Sequence, residues 1–228
     1  MQTRELTKNQ HSTSATTAFL AGPALMAGYG VVRLIGRAAG DYGPGVWWSL
    51  AHVLFLAGVL AFVPVFLSLR TPAGVRGGRR AGVRLAAGAG LLGAAAVAVQ
   101  AVIDLVVGFL AADEDAMSDL FEKVQDVPGV MPAVYTVVPM LFWVGLLALV
   151  TLLALFRRGR VPGWSPLLVL SGTVMMAMSL DLLAAGAVCV GLALYPMRRG
   201  WGADGTVELT HRVTASHAVT QSFIRLCG

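Results

Sequence analysis

Six polar side chains stand inside stretches of sequence that are otherwise apolar: Arg33, His52, Gln100, Asp104, Tyr135 and Asp181. Gln100 and Asp104 are one helical turn apart and would project from the same helix face. Carboxyl and imidazole groups in such surroundings are candidates for general acid chemistry. Asp104, Asp181 and His52 are therefore the candidate catalytic residues of an intramembrane enzyme acting on a lipid, for example by acid-initiated isoprenoid cyclisation. Trp47, Trp48, Tyr135, Phe142 and Trp143 could face a cationic intermediate through their π-systems. No DDxxD pair is present, which argues against diphosphate chemistry. The same carboxylates and His52 suit a proton relay in coupled transport. The leading reading, ahead of the enzyme and then transport, is recognition, with Arg33, Trp48, His52, Gln100, Asp104, Tyr135 and Asp181 lining a polar ligand-binding pocket. Each residue also has a purely structural use. Arg33 could snorkel to headgroups, Gln100 and Asp104 could bond neighbouring helices, and Tyr135 could anchor at an interface.

The surroundings of these residues decide which elements must carry them. Of 228 residues 57% are hydrophobic and only 13% charged, about half the charged share of a soluble domain. The chain reads as an all-α, polytopic transmembrane helix bundle. A formal net charge of +5 could suggest nucleic acid, but the basic residues cluster at the ends of apolar runs, as membrane topology requires. Nucleic acid is therefore excluded as a partner.

An N-terminal segment, 1–13, precedes the bundle over 14–197, and a polar tail follows over 198–228. The first span covers about Ser14–Arg37, a retained helix and not a cleaved signal. The second, Val46–Leu69, opens on the interfacial pair Trp47–Trp48. The third lies in Arg84–Asp115, Gly/Ala-rich, with spacings suited to close helix packing. An acidic connection, 113–126, places Met117, Leu120, Phe121 and Val124 at helical spacing, the pattern of a short amphipathic surface helix. The fourth span, within 127–156, contains Pro132 and Pro139. The last apolar region, 161–197, exceeds the roughly 20 residues of one span. It contains no turn chemistry near its middle, so one long helix is favoured over a hairpin. That makes five spans, or six if the region folds back.

The basic connections 70–84 and 157–160 should be cytoplasmic and the acidic connection external. The N-terminus is then cytoplasmic, and Arg198 and Arg199 fall awkwardly at the outer end. In this frame every polar intramembrane residue lies in the outer half of the bilayer. Arg33 and Asp104 would pair at the rim of a pocket, with His52 and Asp181 deeper. The ligand would be a membrane lipid, an amphipathic small molecule or the helix of a partner protein. Without an internal repeat, self-contained transport would require a homo-oligomer.

Other chemistries find no support. His52 is the lone histidine in a span, so two-ligand haem is disfavoured. No HxxxH or HExxH spacing provides a metal site, and no cofactor is implied. Cys189 and Cys227 form no redox motif. No GxSxG or P-loop occurs.

The stretch Gly22–Leu60, GPALMAGYGVVRLIGRAAGDYGPGVWWSLAHVLFLAGVL, resembles small multi-spanning membrane proteins of unknown function from high-GC Gram-positive bacteria. The likeness covers about the first 70 residues. It implies a multi-pass protein of the bacterial cytoplasmic (inner) membrane.

Overall fold

The computed structural model describes residues 2–41, 43–71, 75–156 and 161–198, with side chains from Thr17 onward. Helix α1 runs Gln2–Ala38, α2 Val46–Leu69 and α3 Gly77–Leu110. A short α4, Glu114–Gln125, precedes a π-turn over Met131–Tyr135, and α5 covers Val137–Phe156. Helix α6, Ser165–Met178, and α7, Leu183–Leu194, are separated by a 3-10 turn at Leu180–Leu182. Four of these elements, within 17–38, 46–69, 77–110 and 131–156, are long and apolar enough to cross a bilayer, which is compatible with an integral membrane protein.

The apolar helices pack in a closed order. Helix α1 lies on α2, α2 on α3, α3 on α5, α5 more lightly on α6, α6 on α7, and α7 back on α1. Phe62, Phe66, Phe142, Met26, Leu146 and Leu149 fill the middle, with Phe62 and Phe66 both edge-on to the Phe142 ring. Leu85, Leu92, Phe109, Met140 and Leu167 are exposed on the outside, as a lipid-facing surface would be.

Small residues set the tightest crossing. A Cβ on Gly93 would lie 2.0 Å from the backbone nitrogen of Phe142, and one on Gly145 would lie 2.4 Å from that of Gly90. Helices α3 and α5 therefore touch backbone to backbone. Three prolines sit where they cost little, whereas Pro23 and Pro64 stand inside α1 and α2. Pro132, Pro139 and Pro166 all fall in the opening turns of their elements, whose N–H groups have no intrahelical acceptor anyway.

The region 161–197, expected as one helix, is a hairpin. Ser179 leaves helical geometry at φ −160, and its hydroxyl accepts from the Asp181 backbone N–H at 3.1 Å. The break needs neither Pro nor Gly; a capping serine and an anchored aspartate make it. Helix α7 then runs antiparallel to α1, since Gly30 faces Ala184 while Gly191 faces Pro23. This return brings Arg198 to the end that holds Arg70, Arg76, Arg79, Arg80 and Arg84, which removes the awkward placement of that arginine. Two further expectations change. The helical backbone begins at Gln2 and so includes most of segment 1–13, and the tail beyond Arg198 lies outside the described residues.

At the opposite, acidic end, α1 stops in a Schellman turn. Asp41 N–H reaches Gly36 O and Gly40 N–H reaches Arg37 O, both at 3.0 Å. Gly40 takes φ +77 there, a conformation that costs other residues a Cβ clash. Helix α4 is capped by Asp113, which accepts from Ala116 N–H at 2.8 Å. Glu114 and Asp115 in its first turn and Lys123 in its last suit the helix dipole. Its Met117 is buried and Phe121 half-buried, and Phe121 lies 6.1 Å from the Trp48 ring.

Candidate functional site

Residues Tyr29, Arg33 and Arg37 recur every four positions on α1, so their side chains leave one face. On α2 the same spacing aligns Trp48 and His52, and on α3 it aligns Gln100 and Asp104. These three faces meet at the acidic end around a cavity of about 550 Å³. Its mouth is charged, with Arg33, Arg37 and Asp41. Its wall is aromatic, with Trp47, Trp48 and Phe55, and Leu180 and Leu183 of the hairpin complete it. Tyr29, His52, Gln100 and Asp104 line its deeper part.

The His52 ring is held by a bond to the backbone. His52 Nδ1 is 2.8 Å from the carbonyl oxygen of Trp48. A carbonyl only accepts, so Nδ1 carries hydrogen and donates. His52 Nε2 then faces Asp104 Oδ2 at 3.7 Å, just beyond hydrogen-bond reach. Their side chains are only 8% and 12% exposed. Two bare acceptors so close and so poorly hydrated would repel. A proton on the ring nitrogen or on the carboxyl would turn that repulsion into attraction.

Trp48 locks this arrangement. Its Nε1–H donates to the Asp104 carbonyl oxygen at 2.9 Å, and its ring stacks on His52 with centroids 4.1 Å apart. The indole occupies the space over Gly108, where a Cβ would come within 2.4 Å of it. Tyr29 meets the other side of His52 edge-on, with centroids 5.6 Å apart.

At the mouth, Asp181 accepts from Arg33 Nη1 at 2.8 Å and from Arg37 Nη1 at 2.5 and 2.6 Å. Asp181 sits in the turn between α6 and α7, with a side chain 43% exposed. The hydrogen bond from Arg37, reinforced by Arg33, holds its carboxyl below the ordinary value.

Arg33, Trp48, His52, Gln100 and Asp104 thus line one cavity. Two expected residues do not line it. Asp181 touches it only through the arginines, and Tyr135 lies outside the lining, with a buried hydroxyl that has no hydrogen-bond partner among the described residues. The expected Arg33–Asp104 ion pair is not formed. Arg33 turns to Asp181 because the hairpin brings that carboxylate to the end of α1, and Asp104 faces His52 instead. Asp181 is correspondingly at the surface and not deep. Of the aromatic residues considered for a cationic intermediate, Trp47 and Trp48 line the cavity; Phe142 is buried in the core and Trp143 packs against it. Tyr29, Arg37 and Asp41 were missed, although the four-residue spacing of Tyr29, Arg33 and Arg37 was a readable signal.

Among the described residues no group of His, Cys, Asp or Glu has the arrangement of a metal site. Comparison with protein-family models, curated proteins and solved structures finds no match for this chain.

Proposed function

We propose that this chain is an integral membrane protein that binds an amphipathic ligand, a lipid or a small molecule, in the cavity at its acidic end. One observation carries the reading: a cavity of about 550 Å³ grades from a charged mouth through an aromatic wall to a buried His52–Asp104 pair. That volume lies within the range of small-molecule sites. The grading matches a molecule with an anionic or strongly polar head, an apolar body, and a hydrogen-bonding group at its deep end. The arginines already share Asp181, so they offer an anionic head a partly neutralised, preorganised mouth. By the distribution of basic residues this end faces outward from a bacterial cytoplasmic membrane, and the N-terminus is cytoplasmic.

Native mass spectrometry after mild detergent extraction tests the proposal. The wild-type chain should retain an amphipathic adduct. Ala51→Leu and Gln100→Leu, two substitutions in the cavity lining, should each lose it while keeping wild-type helix content. A wild-type chain without adduct, or an adduct indifferent to both changes, would overturn it.

A second reading is intramembrane acid chemistry, favoured by the 3.7 Å approach of His52 Nε2 to Asp104 Oδ2 in poorly hydrated surroundings. In that reading Asp104 with His52 supplies the acid. Asp181 drops out, because two guanidinium groups keep its carboxylate ionised. Incubation with polyprenyl substrates, comparing wild type with Asp104→Asn, separates the two readings.

A further inference from the structure

We propose that the basic end carries a second, separate site, for one anionic phospholipid, with the phosphate between Arg70 and Arg84 and an acyl chain along Ala87, Gly88 and Leu91. A groove of about 370 Å³ is lined there by Arg70, Thr71, Arg84, Ala87, Gly88 and Leu91. The α3 contribution is a single stripe: positions 84, 87, 88 and 91 repeat at helical spacing and share one face. Arg70 caps the end of α2, where the helix reaches the membrane boundary. Arg84 lies two turns inside α3, and its long side chain can rise to the same level. From Arg84 the stripe descends about 10 Å to Leu91, at 1.5 Å per residue. Gly88 keeps this descent open, while Ala87 is buried at its floor. Nothing lies within 4 Å of where a Gly88 Cβ would be.

Charge selects the occupant. Neither Arg70 nor Arg84 has an ion-pair partner among the described residues. Every carboxylate whose side chain is described belongs to the acidic end, apart from Asp104 in the deep cavity. Among the residues whose side chains are described, a second copy of this chain in the same orientation would bring arginines and no carboxylate to this depth. A small-residue trough therefore does not serve here as a helix-packing seam between copies. A phosphodiester, with its acyl chain running down the trough, satisfies both guanidinium groups, and the Thr71 hydroxyl can donate to it. The site shares no residue with the cavity at the other end and stands or falls without it.

The test uses the full-length chain in mild detergent with palmitoyl-oleoyl phosphatidylglycerol or the matching phosphatidylcholine, read by native mass spectrometry. The anionic lipid should be retained about fivefold better per arginine engaged, the weight of one basic residue at an anionic surface. Arg70→Gln with Arg84→Gln should bring its retention down to the phosphatidylcholine level. Gly88→Leu fills the trough without touching charge and should lower retention of both lipids at unchanged helix content. It also decides the matter should the arginine variant fail to fold. Arg76→Gln with Arg80→Gln, at the same end but off the groove, should change nothing. Equal retention of the two lipids, or indifference to the Arg70/Arg84 change, overturns the proposal. So does displacement of the lipid by equimolar inorganic phosphate, or a dimer that Gly88→Leu dissolves.

Discussion

Replacing His52 or Asp104 by leucine removes one side of a buried polar pair and leaves the other facing an apolar group. At 3.7 Å, an imidazolium and a carboxylate attract by about 4 kcal/mol at an effective dielectric constant of 20. Most of that is offset by removing both charges from water. A neutral imidazole and a neutral carboxyl would retain at most about one hydrogen bond, about 1 kcal/mol, and only on closing to bonding distance. Either way the orphaned partner, largely buried, loses the polar group it faces, so each single change should cost about 1–3 kcal/mol. The double change should cost less than the sum, by at least about 1 kcal/mol. Asp104→Asn keeps a donor toward His52 Nε2 and should cost less than about 1 kcal/mol. Reversible unfolding in mixed detergent micelles, followed by circular dichroism, measures all four values. Additivity within about 0.5 kcal/mol would show that the two groups are not coupled and would refute the pairing. The cycle between Arg33→Ala and Asp104→Ala, by contrast, should be additive, because Arg33 is engaged by Asp181.

Other outcomes follow from the same geometry. Gly93→Ala places a methyl against the α5 backbone and should destabilise by about 3 kcal/mol or more, whereas Gly88→Ala should be neutral or stabilising by up to about 1 kcal/mol; thermal unfolding of the pair checks this. Gly108→Val should expel the Trp48 indole, which tryptophan emission would report as a shift toward longer wavelength. Because the Asp181 carboxyl is held below its ordinary value, its contribution to stability is complete at neutral pH and fades as pH falls below about 4. Acid titration of wild type and Asp181→Asn should therefore show a stability difference that is flat near neutrality and closes in acid. With Cys189 and Cys227 replaced by serine, a cysteine at Ser118 should react with a membrane-impermeant thiol reagent from outside, and one at Gly78 only after the membrane is opened.

The long apolar helices were legible because about twenty consecutive apolar residues have few other fates. The faces carrying Trp48 with His52 and Gln100 with Asp104 were legible from spacing alone. The hairpin was not, because a search for Pro and Gly overlooks a serine cap. Ser179 ahead of Asp181 is a start signal for a new turn, and it is buried in a run whose hydropathy hides it. That single misreading displaced Asp181 in depth and so assigned Arg33 the wrong partner. Pairings between helices depend on rotation and depth together, and sequence spacing supplies only the rotation.

The brevity of the α6–α7 hairpin has a consequence for the surrounding lipid. Fourteen residues in α6 rise about 21 Å, against about 30 Å for a hydrocarbon core. Helices α2, α3 and α5 match or exceed a full crossing, so the mismatch is confined to one flank of the bundle. Acyl chains beside that flank must shorten or tilt, at a cost of fractions of a kcal/mol per ångström. In a bilayer the annulus would then be lopsided, dipping where Leu180 and Leu183 border the cavity. Headgroups drawn down into that dip would arrive at the level of Arg33 and Arg37 from the side. For the amphipathic ligand proposed above, such a dip would be a lateral approach to the cavity mouth from within the leaflet.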